Sequence, residues 1–215
     1  MSDCAEEGLV ELFSPAAAPG ELMMACRHGG TMSPAQCGAI GYNASMHCRV
    51  EAVSLDGGRK WSNFTPVQSL PDTPVKSGVA RWEARRALLF SSPDVTRDPC
   101  PRHCMNHYGR CDETRGEDCV SQRNYLTVFA SIDNGKTWPY KKLVWPYECH
   151  SYSDVNVLPD GRVAALISTA NGTAGCTVNG TGCTAGSVAL TIAEADDIIP
   201  ASAIGDYRTV FKKNE

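Results

Sequence analysis

Eight residues, Cys100-Pro-Arg-His-Cys-Met-Asn-His107, put two thiols and two imidazoles into one short stretch. Cys100, His103, Cys104 and His107 are all of the types that ligate zinc. Their spacing matches no zinc finger, and the same polar loop, residues 94–122, brings two more cysteines, Cys111 and Cys119. Four Asn-x-Ser/Thr acceptors, at Asn43, Asn63, Asn171 and Asn179, point to glycosylation in an oxidising compartment. In that setting disulfides within the loop, and no metal or other cofactor, are the expectation. Cys176 and Cys183, close together in a Gly/Thr-rich loop at 169–186, are expected to form a local bridge. The chain has eleven cysteines, an odd number, so at least one is unpaired or has its partner elsewhere.

A second pattern occurs twice. Ser54-Leu-Asp-Gly-Gly-Arg-Lys-Trp61 and Ser131-Ile-Asp-Asn-Gly-Lys-Thr-Trp138 both fit S-x-D-x-G-x-x-W. The pattern suits a hairpin: Gly58 and Gly135 can take positive φ, Asp56 and Asp133 can accept backbone N–H groups, and the Trp packs back. These aspartates are structural on that reading, not catalytic.

The elements that would position such residues read as short strands at 8–13, 21–27, 48–55, 85–91, 124–132, 141–145, 154–158, 161–168 and 187–193. Residues 48–55, C-R-V-E-A-V-S-L, alternate with period two. A helical period is limited to about 193–204. The fold class expected is all-β. With 215 residues, 42% hydrophobic and 20% charged, the composition is that of a globular chain, and a net charge of −4 argues against nucleic acid or an anionic membrane as partner. No apolar run is long enough to cross a bilayer as a helix, and the first residues carry no signal-peptide pattern.

The repeated motif resembles the Asp box of sialidases and other β-propellers. Setting aside the loop at 94–122, the two copies lie about 48 residues apart, the size of one four-stranded blade. Residues 1–196 then hold about three blades, with 197–215 as a polar tail, so that a closed ring requires further N-terminal blades.

The resemblance to exo-α-sialidases extends to the residues around the boxes. Ser151-Tyr-Ser-Asp-Val-Asn-Val-Leu-Pro-Asp-Gly161 is similar to the family's segment bearing a nucleophilic tyrosine, which implies that role for Tyr152. Arg123-Asn-Tyr-Leu-Thr-Val128, ahead of the second box, resembles the segment carrying a carboxylate-binding arginine and implies Arg123. Cys48-Arg-Val-Glu-Ala-Val-Ser54 resembles the strand before an earlier box and implies Arg49 as a second such arginine. Glu6-Glu-Gly-Leu-Val-Glu-Leu12 resembles the segment of the glutamate that partners the tyrosine, which implies Glu6, with Glu7 one residue away as the alternative.

These residue types belong together chemically. A sialic acid carries a carboxylate on its anomeric carbon, which guanidinium groups hold by charge-assisted bonds. The same charge repels an Asp or Glu nucleophile, whereas a neutral tyrosine is tolerated and is activated by a carboxylate that takes its proton. Sialidases are known exceptions to the two-carboxylate rule of glycosidases for this reason. The resemblance implies hydrolysis of terminal sialic acids on glycoproteins, glycolipids or oligosaccharides, with retention through a tyrosyl intermediate, in a secretory-pathway protein. The family's remaining carboxylate-binding arginine and its acid/base aspartate have no counterpart here, so the chain reads as an incomplete fragment with little turnover alone. The competing expectation is a non-catalytic sialoglycan-binding or inactive Asp-box propeller.

Overall fold

The computed structural model describes residues 4–13, 20–28, 47–72, 75–94, 125–146, 150–170 and 185–204. Among them, eleven strands form three antiparallel sheets, each ordered along the chain. The first contains β1 (Cys4–Glu11), β2 (Leu22–His28), β3 (His47–Ser54) and β4 (Thr65–Asp72). The second contains β5 (Val79–Trp82), β6 (Ala87–Pro93), β7 (Leu126–Ser131) and β8 (Tyr140–Trp145). The third contains β9 (His150–Val157), β10 (Val163–Ala170) and β11 (Ala185–Ala193). The all-β expectation holds, and three sheets stand where about three blades were expected.

Side-chain alternation explains how the sheets stack. β6 and β7 are buried along their whole length, which a strand covered on one face only could not be. Their odd and even residues go to different cores. Leu88, Phe90 and Phe129 join Val10, Met23, Val67 and Trp138 between the first and second sheets. Leu89, Leu126, Val128 and Ala130 join Val155, Val163, Ala165 and Ile167 between the second and third. The second sheet is therefore the middle blade, and its strand β5 packs against both β1 and β9.

Both repeated motifs close the hairpin between the third and fourth strands of a sheet. In the first, Asp56 Oδ1 accepts from Ser54 Oγ at 2.9 Å and from the Lys60 amide at 2.8 Å, and Gly58 has φ 87°. In the second, Asp133 Oδ1 accepts from Ser131 Oγ at 2.7 Å and from the Thr137 amide at 2.9 Å, with Gly135 at φ 85°. The Lys60 amide is also the largest cause of a lowered Asp56 pKa.

The structure adds two strands that the sequence pattern hides, β4 and β5. The third sheet has three strands among the described residues, rather than four. The helical period near the C-terminus resolves into α1 (Ala195–Ile198) and a further turn at 201–204. Ile198 and Ile199 are buried with the second core, so packing continues past residue 196, where the tail was expected to begin. Among the described residues, no helix is long and apolar enough to cross a membrane.

Candidate active site

Glu6 and Tyr152 both sit where a strand is bulged. On β1, Ala5 pairs with Arg27 and Gly8 with Ala25, so Glu6 and Glu7 together oppose the single residue Cys26. On β9, Ser153 pairs with Ile167 and His150 with Thr169, so Ser151 and Tyr152 together oppose Ser168. A bulge re-aims one side chain out of the regular alternation. In β1 the re-aimed residue is Glu6, whose φ of 54° is in the left-handed region that a glutamate rarely adopts.

The two bulges bring the side chains together across 146 residues of sequence. Tyr152 Oη donates to Glu6 Oε1 at 2.7 Å. The other carboxylate oxygen, Oε2, accepts from Arg27 Nη1 at 2.8 Å. Tyr152 is 46% exposed, so the group faces solvent. Glu7, the alternative partner, is exposed, and no bond joins it to Tyr152. A carboxylate with one oxygen on a phenol and the other on a guanidinium is fixed where it can take the phenolic proton as the phenol oxygen attacks.

Arg27 stands in no recognisable motif, and sequence reasoning does not reach it. A signal is present nonetheless, as Arg27 is near the end of β2 and lies across from Ala5 beside the Glu6 bulge. The motif-bearing arginine, Arg49, is one strand further out. Arg49 is 1% exposed, and its Nη2 donates to the Val75 carbonyl at 2.7 Å and to Ser77 Oγ at 2.6 Å. Its guanidinium also lies 5.3 Å from the centre of the Phe90 ring. The structure thus turns Arg49 into the interior and gives the ion pair with Glu6 to Arg27.

Arg123 lies outside the described residues, as do Asn43, Asn171, Asn179, the Cys100–His107 cluster and the Cys176–Cys183 pair. Asn63 is exposed in the loop after the first Asp box. One disulfide is present among the described residues, Cys4–Cys26, joining β1 to β2 beside the site. No group of metal-ligating side chains occurs among those residues.

Tyr152 is also anchored from beneath. Ser153 Oγ lies 3.0 Å from Ser91 Oγ, which accepts from the Gly78 amide at 3.1 Å, and the Ser153 amide donates to the Lys76 carbonyl at 3.3 Å. Through these buried bonds the linker before β5 ties the second sheet to β9, next to the tyrosine.

No protein-family model matches the chain. A search of curated proteins finds a sialidase of Micromonospora viridifaciens, 27% identical over 124 residues, which are 58% of this chain and 16% of that protein. Solved structures with the same fold include a Hadza microbial sialidase (TM-score 0.55, 18% identity) and a NanB sialidase of Streptococcus pneumoniae (TM-score 0.54, 14% identity). They also include the intramolecular trans-sialidase of Ruminococcus gnavus, at TM-score 0.52 and 17% identity. The matches cover 92%, 90% and 90% of this chain but only 29%, 24% and 33% of those chains. In sequence this chain is similar to a sialidase over 58% of its length, and in fold it spans part of the all-β, propeller-like architecture of the sialidase structures.

Proposed function

We propose that the chain carries one side of an exo-α-sialidase active centre, in which Tyr152 is the nucleophile and Glu6 its proton acceptor. The observation that carries this reading is the 2.7 Å bond from Tyr152 Oη to a carboxylate already fixed by Arg27. On this reading Arg27, together with Arg123, holds the sialic acid carboxylate, and Arg49 supports the site from inside the protein. Tyr152 attacks the anomeric carbon as Glu6 takes its proton, and the aglycone leaves with the electron pair of the broken C–O bond and takes a proton from solvent. Water then attacks the glycosyl–tyrosine and gives up a proton to solvent, Glu6 returns its proton to the departing phenol oxygen, and sialic acid is released with retained configuration.

Substrates on this reading are terminal sialic acids of glycoproteins, glycolipids or oligosaccharides. The exposed Asn63 acceptor and the Cys4–Cys26 bridge support a secretory-pathway location. The test uses 4-methylumbelliferyl sialoside, whose phenolic leaving group departs with little protonation, so it does not depend on the family's acid/base aspartate. Slow turnover, since one carboxylate-binding arginine of the family has no counterpart here, and a covalent sialosyl group on the Tyr152 peptide, both abolished in Tyr152→Phe, are expected. An adduct on any other residue refutes the assignment.

A further inference from the structure

The Glu6 bulge divides β1 (Cys4–Glu11) and sets off an arm on its N-terminal side. Among the described residues, two pairings lie on the N-terminal side of the bulge, Cys4 with His28 and Ala5 with Arg27. Four uninterrupted pairings lie on the other side, from Gly8 to Glu11. An arm next to a non-glycine residue at positive φ opens readily, because relaxing that φ releases the strain that the arm must hold. The disulfide joins this arm to β2. Cys4 is two residues before Glu6, and Cys26, fully buried, immediately precedes Arg27.

We propose that the Cys4–Cys26 bridge is a positioning device for the site, clamping the β1 arm onto β2 so that Glu6 stays bulged toward Tyr152. The proposal deepens the sialidase reading and rests on it for its catalytic consequence. Its geometric content is independent of that reading. β2 does not need the bridge in the same way, since its other edge is paired with β3 from Leu22–Ser54 to Cys26–Val50. Losing the bridge therefore loosens the backbone at Glu6 while leaving Arg27 close to its place. The device acts on proton acceptance by the carboxylate and spares capture of the substrate by the guanidinium.

The experiment follows two signals in the folded chain during reduction by a water-soluble trialkylphosphine. The phosphine supplies the electron pair, takes an oxygen from water to become the phosphine oxide, and leaves Cys4 and Cys26 as thiols. The first signal is the ¹³Cζ resonance of Tyr152, with Glu6→Gln as the reference for a broken phenol–carboxylate bond. The second is amide protection in β7, which reports the core. The resonance is expected to move most of the way to the Glu6→Gln position while β7 stays protected, and to return on reoxidation. Cys4→Ala/Cys26→Ala, which leaves the other nine cysteines in place, must reproduce the shifted resonance.

With 4-methylumbelliferyl sialoside, kcat is expected to fall about 10- to 100-fold on loss of the bridge, with KM changed less than about twofold. A Tyr152 resonance that stays put after reduction, or that moves only as β7 loses protection, overturns the proposal. Absence in every form of both turnover and a sialosyl adduct on Tyr152 refutes the sialidase reading and leaves the resonance to decide this one.

Discussion

Gly78→Ala tests whether the seam beneath Tyr152 is as tight as its contacts imply. A Cβ added at Gly78 falls 2.6 Å from Asp154 Cα and 2.6 Å from the Val155 nitrogen. Carbon atoms in contact prefer about 3.5–4.0 Å, so roughly 1 Å must be found. Both walls are backbone. Gly78 is fixed to Ser91 in both directions, its amide donating at 3.1 Å and its carbonyl accepting at 3.0 Å. β9 is fixed by its ladder to β10. Either β9 moves outward or the Gly78–Ser91 bonds break. The first costs about 1–3 kcal/mol as overpacking and the second about 2 kcal/mol for two buried hydrogen bonds, so the loss is about 1–3 kcal/mol. For a domain of this size that lowers Tm by about 2–12 °C. Because Tyr152 is two residues from Asp154, a displacement of β9 of about 1 Å also lowers kcat roughly 100-fold. Thermal unfolding followed by circular dichroism reads the first effect and sialoside turnover the second. Gly161→Ala, where no atom lies within 4 Å, is the control; its cost is limited to the φ of 88°. A Gly78→Ala Tm equal to that of the control refutes the account of the seam.

Further predictions follow from the same contacts. Tyr152→Phe removes one oxygen from a half-exposed residue, so Tm is expected to change by no more than about 2 °C while sialoside turnover falls at least about 1000-fold. Arg27→Met and Arg49→Met should separate by assay. The first breaks a partly exposed pair worth about 0–1 kcal/mol and abolishes sialoside binding, and the second unpairs a buried site at about 3 kcal/mol or more, as urea denaturation would show. Glu51, on β3, has its pKa raised to about 7, first by burial and then by Asp133. A raised carboxylate pKa means that the folded state keeps its proton where the unfolded chain has lost it, so stability falls as pH rises from about 4.5 to 7. Discounted for partial exposure, the loss is about 1–2 kcal/mol. Glu51→Gln should flatten that slope, and an unchanged slope assigns it to another group.

The strands legible in sequence are those with a buried face and clean alternation, such as β3, or with continuous burial, such as β6 and β7. β4 escapes because Pro66 and Pro71 lie within it, and proline argues against a central strand. At the outer edge of its sheet, where among the described residues β4 pairs only with β3, a missing N–H is tolerated. β5 has four residues, too few for a period to register. The site divides in the same way. Local motifs lead to Tyr152 and Glu6, because each stands in a recognisable segment. The choice between two arginines depends on which strand neighbours the Glu6 bulge, and that is a fact of register. Arg49 stands in a motif-like strand yet faces inward, while Arg27 has no motif and stands beside the carboxylate.

Tyr152 and Glu6 come from different sheets, with the middle blade between them, so their 2.7 Å contact is only as firm as two inter-blade seams. Apolar packing alone fixes such seams loosely, since slides of a fraction of an ångström cost little when only dispersion resists them. Each seam instead carries directional bonds. Between the first and second sheets, Asn134 of the Asp box accepts from the Phe13 amide at 2.8 Å and donates back to the Phe13 carbonyl. Arg49 there reaches across to the linker at Val75 and Ser77. Between the second and third sheets, the Ser91–Ser153 pair and the Ser153 amide donating to the Lys76 carbonyl serve the same end. Buried polar links are costly if any member is left unsatisfied, so they define one register of blade against blade rather than a range of them. On the proposed reading, a nucleophile and its base held by separate blades need that single register, which gives polar groups a role at seams that an apolar core could otherwise have filled.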